Sequence, residues 1–347
     1  MKVEFEKFVE AHIDEAVRLA KAEWEAERTY CPDLPRFEFE DRLKQILWWL
    51  SNQNFGGKAA FCDGKLVGYL LFAGPWDGMF GNVKGVFSPL GGSAFSYEYE
   101  NRGKLASMLF AAVAQELADA GIFSCALSRY AHDDEIAKSF VLNGFGIRCM
   151  DAVRDMKALE SQFLSGGTLC SQMNTKKIQQ TESQRDAKNA YGEIQFEELS
   201  REQFGEVAHL QRGLHRHLLD APVFFPVPDC GFEAWFSEWI KRETMRIFAA
   251  RAEGRVIGFI SVDEEGENFI TEYEGMKNIC GAYFEEAYRG NGIAQGLLAF
   301  ICETLKAEGV THVGVDCETM NPTALRFWDK YFTPYTYSFV RRIDERV

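Results

Sequence analysis

The stretch Arg289-Gly290-Asn291-Gly292 runs directly into Ile293, Ala294, Leu297, Leu298, Ile301 and Leu305, apolar positions at helical spacing. A helix that starts near Ile293 opens with several unpaired backbone N–H groups and a partial positive charge. Glycines ahead of it remove the Cβ atoms that would hold a ligand away from those donors. The combination suits an anion, phosphate above all, with Arg289 as a fixed charge beside it. No Gly-Lys-Ser/Thr follows, so this is not a Walker A loop, and Gln295 stands where a dinucleotide fingerprint needs its third glycine. By itself the loop leaves two readings open, a phosphate cradle and ordinary helix punctuation.

Two further groups could carry chemistry. Asp316 and Glu318 share one side of a strand by period-two alternation. They read either as acid–base groups or as solvated carboxylates at a strand end. His209, His215 and His217 fall in one helix, but His215 and His217 are two apart and point to different faces, which argues against a local metal site. The nine cysteines include no CxxC pair and no Cys/His cluster with zinc spacing. They read as reduced core cysteines of a cytoplasmic protein, and no metal is expected.

The elements that must position these residues occur twice. FEKF at Phe5 matches FEEL at Phe196, DGKLVGYL matches EGRVIGFI, KLASMLF matches GIAQGLL, and AGIFSCAL matches EGVTHVGV, all in the same order at a nearly constant offset. The chain is a tandem duplication, with expected units 1–159 and 191–347 joined by a polar linker, or a loosely attached helix, over 160–190. Each copy reads as a short strand, an amphipathic helix and a Trp-containing helix, then a hairpin. Asp63-Gly64 and Glu253-Gly254 mark the hairpin turns. A strand, a long helix, another strand and a shorter helix follow, a mixed α/β (α+β) sheet covered by helices.

Composition bounds the partners. The net charge is −14, with 52 acidic residues against 38 basic ones. That argues against binding a nucleic-acid backbone and is compatible with a cationic substrate, although many soluble proteins are equally acidic. No apolar run approaches the roughly 18 residues that span a bilayer, and the opening MKVEFEKFVE is too charged for a signal peptide. A monomer or homodimer is expected.

The glycine loop set after the fourth strand of a β-α-α-β-β-β-α-β-α unit resembles the GNAT superfamily of acyl-CoA N-acyltransferases. Its Arg/Gln-x-x-Gly-x-Gly/Ala signature is met by Arg289-Gly290-Asn291-Gly292-Ile293-Ala294, and NPTALRFW, from Asn321 to Trp328, is similar to the stretch that follows the family's fifth strand. The resemblance implies two tandem GNAT-like domains, each a mostly antiparallel mixed sheet with splayed fourth and fifth strands. It also implies acetyl-CoA as co-substrate, its pyrophosphate on the amides from Arg289 through Gly290, Asn291, Gly292, Ile293 and Ala294 to Gln295, with Asn321 nearby. The pantetheine arm would pair with main chain near Tyr283, Phe284 and Glu285, where a backbone N–H would stabilise the oxyanion as a neutral amine attacks. The acceptor would be a small-molecule amine or a peptide amine.

The family's usual tyrosine acid falls on Trp328, leaving Tyr331 or Tyr335 as substitutes. The resemblance makes Glu318 the first-choice base or ammonium anchor, with Asp316 beside it. The connection between the first two helices would cap the acceptor, with Phe224, Phe225, Phe232 and Trp235 as apolar walls or as packing alone. In the first copy YENRGKLASMLFAAVAQEL is a poorer version of the loop: Arg102 or Asn101 replaces Arg289, and Lys104 intrudes. That copy is expected to be mainly structural, with Asp133 and His132 as its weak site candidates. A CoA-binding regulatory pseudoenzyme and a transferase using another acyl donor are the alternative functions.

Overall fold

A computed structural model describes residues 2–78, 81–159, 193–225, 231–264 and 266–346. The expected linker at 160–190 lies outside the described residues, as do positions 226–230 of the expected acceptor loop.

The first half contains β1 (Val3–Lys7), α1 (Ile13–Tyr30), α2 (Glu40–Ser51), β2 (Gly56–Cys62), β3 (Lys65–Trp76), β4 (Gly85–Ser88), β5 (Ser93–Phe95), α3 (Arg102–Asp119), β6 (Ser124–Tyr130), α4 (Asp134–Leu142) and β7 (Gly146–Asp155). The second contains β8 (Ile194–Glu198), α5 (Ala208–Leu219), α6 (Phe232–Trp239), β9 (Arg246–Ala252), β10 (Arg255–Asp263), β11 (Met276–Phe284), α7 (Ile293–Ala307), β12 (His312–Glu318), α8 (Pro322–Trp328) and β13 (Thr333–Arg342). The two hairpin turns sit where the dipeptides put them. Asp63-Gly64 have φ of 51° and 76°, and Glu253-Gly254 have 49° and 80°, the pair of left-handed residues that a tight two-residue turn requires.

The repeated glycine of each hairpin has a packing cause. A Cβ at Gly258 would lie 2.0 Å from the Phe284 ring, and one at Gly68 would lie 3.1 Å from the Phe95 ring. Each glycine makes room for an aromatic side chain of the fourth strand. Gly258→Ala is therefore expected to destabilise the chain by about 1–3 kcal/mol through overpacking, and Gly68→Ala by less. Urea midpoints of the full-length variants check this.

All the strands but β5 line up in one sheet, in the order β1-β2-β3-β4-β6-β13-β7-β12-β11-β10-β9-β8, and β5 pairs with β3. The β4–β6 and β11–β12 contacts are parallel, as strand–helix–strand crossovers require. The two last strands are exchanged. β13 pairs with β6 of the first half from Thr336↔Tyr130 to Arg342↔Ser124, while β7 pairs with β12 of the second from His312↔Asp155 to Glu318↔Cys149. Each repeat thus completes its sheet with a strand of the other. The sequence reading ended each repeat at its shorter helix and did not anticipate these strands.

Helices cover both faces. α1 and α2 pack Trp24, Leu43 and Leu47 into one core, which also takes Phe269, Met276 and Tyr335 from the second half. α7 and α8 pack Ile293, Leu297, Ile301 and Trp328 over β10 to β12.

Candidate functional site

The sheet opens at one place in the second half. β11 and β12 pair only from Met276↔His312 to Ile279↔Val315. At that point β11 bulges: Val262 faces Ile279 and Ser261 faces Gly281, so Cys280 is an extra residue. A bulge bends and twists its strand. Beyond it β11 stays with β10 as far as Phe284, while β12 follows β7, and a wedge-shaped slot opens between them. The Glu285 N–H donates to Ile257 O of β10 at 3.0 Å. Alternation along an antiparallel strand then turns the main-chain groups of Phe284 and Ala282 toward the open edge. Phe284 O there accepts from Arg289 Nε at 2.8 Å.

At the mouth of the slot stands the N-terminus of α7. Gly290 and Gly292 have φ of 82° and 75°, and Gly292 is the left-handed residue from which the helix departs, with no side chain capping it. The first helical bond runs from Gly296 N–H to Gly292 O, which leaves the amides of Ile293, Ala294 and Gln295 ahead of the ladder. Arg289 is fixed by Phe284 O and by the Tyr283 ring, 4.9 Å from its guanidinium carbon.

A cavity of about 310 Å³ joins loop and slot, lined by Tyr283, Phe284, Arg289, Gly290, Gly292, Ala294, Gln295 and Asn321 among others. Trp328 lines it as well, as do Leu214 and His217 of α5. Ile293 is instead buried in the core, and the Glu285 carboxylate pairs with Arg255. Asn291 binds back to Arg289 O at 3.2 Å. Asn321 Oδ1 caps α8 on Ala324 N–H. The spacing of His217 in the sequence spoke only against a metal site; its place on the cavity wall follows from α5 packing over β11, where Gly213 lets the Tyr283 ring approach.

Tyr331 is buried beside Phe327 and hydrogen-bonded to Gln295, and burial raises its pKa above the ordinary phenol value. Tyr335 lies on β13 in the core of the first half, bonded to Asn268, so it is not near this cavity.

Asp316 and Glu318 extend from the other face of β12 and do not line the cavity. Burial raises Asp316 to about 8, with the carboxylates of Glu267 and Asp151 adding to the rise. Burial also raises Glu318, against the pull of Arg148, whose Nε lies 3.3 Å from Glu318 Oε2. Phe225 lies under that guanidinium at 5.1 Å. Phe224 is exposed, and Trp235 stacks against His215 and Trp239. Burial holds the thiols of Cys280 and Cys317 near 12, so neither is a thiolate nucleophile at neutral pH. Among the described residues no group of His, Cys, Asp and Glu side chains is arranged to hold a metal ion, and no helix is long and apolar enough to cross a membrane.

The first half has the same slot, filled. Pro89 to Gly92 break its fourth strand into β4, which pairs with β6, and β5, which pairs only with β3. Matching the buried faces of α3 and α7 sets Leu105 on Ile293, so Arg102, Gly103 and Lys104 form an extra helical turn where the second half has Gly290, Asn291 and Gly292. The amides of that turn are taken: Gly103 N–H donates to Glu135 at 2.8 Å and Lys104 N–H to Asn101 at 3.0 Å. Inside the slot Arg129 donates to Ser93 O at 2.7 Å, and Glu23 accepts from Phe95 N–H at 2.8 Å. Asp133 joins Arg102 to Arg129, while His132 stacks on Tyr30 and bonds Glu27. At the repeat spacing, Glu23, Arg102, Arg129 and Asp133 correspond to Leu214, Gly290, Cys317 and Asn321. Ser93 and Phe95 correspond to Ala282 and Phe284, whose main-chain groups face an open slot.

Residues 213–332 match the model of the acetyltransferase (GNAT) family. Among solved structures, a GCN5-related N-acetyltransferase from Sphaerobacter thermophilus is similar with a TM-score of 0.56 at 14% identity, over 98% of this chain and 96% of that one. The GCN5-related glucosamine N-acetyltransferase region of a fungal multi-domain GH3 β-N-acetylglucosaminidase is similar with a TM-score of 0.51 at 16% identity, over 98% of this chain. The match spans 38% of the fungal protein's length. At these identities the likeness is one of fold. No curated protein sequence matches the chain.

Proposed function

We propose that the second half, where residues 213–332 match the acetyltransferase (GNAT) family model, transfers acetyl from acetyl-CoA to a primary amine. The observation that carries this reading is the open β11 edge beside an uncapped helix N-terminus, a pair of features that the first half has closed with its own side chains. The pyrophosphate lies on the amides of Ile293, Ala294 and Gln295 with Arg289 beside it. The pantetheine arm pairs with β11, and the Phe284 N–H, the counterpart of the donor that Glu23 occupies in the first half, stabilises the thioester oxyanion.

The neutral amine attacks the thioester carbon, forming a C–N bond, and collapse of the adduct breaks the C–S bond. Glu318 takes the proton that the ammonium loses. Tyr331, a buried phenol tied to the cradle through Gln295, returns a proton to the departing thiolate. Phe225 walls the acceptor side.

Trp328, in place of a proton donor on the cavity wall, favours one other reading, a CoA-binding regulatory module. Thiol release from acetyl-CoA, followed over a panel of mono- and polyamines, decides between them. Amine-dependent release is expected. Tight CoA binding without release for any amine would establish the module.

A further inference from the structure

We propose that Arg148, carried into the second half by the exchange of β7, is the positioning residue for Glu318, so that one repeat completes the acceptor side of the other. The proposal rests on the reading of Glu318 as the group facing the amine, and it names what holds that group in place. Cys149 is the register partner of Glu318 across β7 and β12, which sets Arg148 next to it in the chain. The main-chain oxygen of Arg148 accepts from Thr319 N–H at 2.8 Å and from the Thr319 hydroxyl at 3.0 Å. Those bonds tie the end of β12 to the exchanged strand just past Glu318.

The side chains then meet. Arg148 Nε is 3.3 Å from Glu318 Oε2, with side chains only 16% and 15% exposed, and the guanidinium lies over Phe225. Arg148 Nη2 and Glu318 Oε2 are both buried without a hydrogen-bond partner among the described residues. A buried pair so incompletely bonded contributes little to stability, because desolvation offsets its attraction. Buried polar atoms left unpaired call for another explanation, and a contact completed by an acceptor molecule supplies one.

The surroundings show why a cation is needed there. The other ionisable groups acting at this position are Glu267 from the β10–β11 connection and Asp316 on β12, with the thiols of Cys149 and Cys317 alongside. All of them disfavour a second negative charge or add nothing to it. Without Arg148 the Glu318 carboxyl holds a proton more tightly, so the pH above which it can receive one from an ammonium moves up.

The test uses full-length Arg148→Gln and Arg148→Lys, with Glu318→Gln to assign the Glu318 carboxyl in ¹³C NMR titrations. Arg148→Gln is expected to move the Glu318 titration, and the acid limb of kcat/KM, upward by about one pH unit, with the KM for acetyl-CoA unchanged. Arg148→Lys is expected to restore most of that shift. A Glu318 titration that stays in place in Arg148→Gln overturns the proposal, since loss of packing on Phe225 alone would lower kcat without moving the titration. A titration that moves while the acid limb stays overturns the role given to Glu318 and leaves the hold of Arg148 on it standing.

Discussion

Gly292→Trp is expected to weaken acetyl-CoA binding by at least about 100-fold in a chain that still folds. Gly292 stands directly before the amides of Ile293, Ala294 and Gln295, to which the proposal assigns the phosphate, and an indole there is expected to cover them. A hydrogen bond to a charged group contributes about 1.5–3 kcal/mol. Losing two of them costs at least about 3 kcal/mol, and each 1.4 kcal/mol is tenfold in affinity. Gly292 has φ of 75°, so any L-residue there adds strain of about 1–2 kcal/mol, confined to a loop. Calorimetric titration with acetyl-CoA reads the affinity, and far-UV circular dichroism checks the fold. The same substitution at Lys104 is expected to leave affinity unchanged, and the unmodified chain to bind one equivalent, because the first-turn amides of α3 already serve Asn101 and Glu135. Wild-type affinity in Gly292→Trp, or two equivalents per chain, would remove the cradle from consideration.

Much of this site was legible in sequence because its determinants are local. A two-residue turn needs left-handed residues, so Asp63-Gly64 and Glu253-Gly254 announce it. A helix that begins on glycine announces bare amides, and Arg289, Gly290, Gly292, Ala294 and Gln295 do line one cavity with Tyr283, Phe284 and Asn321. What escaped notice is non-local. Nothing local to β7 or β13 says which repeat each strand will complete, and Arg148 could not be connected with Glu318 without that pairing. The bulge at Cys280 depends on how β11 leaves β12, a property of the sheet rather than of Asn278-Ile279-Cys280-Gly281. Among the aromatic residues assigned to the acceptor wall, composition could not say that Phe225 meets Arg148 while Trp235 turns to His215. Glu23 looked like any helical glutamate, because its significance lies in Arg129, more than a hundred residues away.

That pair leads to the largest expected effect on stability. Arg129 is fully buried and bonds Glu23 at 2.7 Å, with Asp133 at 3.3 Å and Ser93 O on its other edge. Arg129→Met leaves two buried carboxylates with Arg102 as their remaining cation in this cluster, and removing one member of such a network costs about 3–5 kcal/mol. The cost is expected to depend on pH. Burial raises the Glu23 carboxyl above its ordinary value and Arg129 opposes the rise, so the variant raises it further. A carboxyl with a folded pKa above its unfolded one weakens the fold at pH above the folded value, and the penalty fades as pH falls toward the unfolded value near 4. The deficit of Arg129→Met relative to wild type, read from urea midpoints, is therefore largest at pH 8 and shrinks by pH 5.5. Adding Glu23→Gln is expected to return part of the loss at pH 8, since the orphaned charge goes with it. An equal deficit at both pH values, with Glu23→Gln returning nothing at pH 8, would mean that Glu23 is protonated in the native chain. The first half's slot would then be closed by neutral hydrogen bonds, and a charged plug could not be what distinguishes it from the open slot of the second.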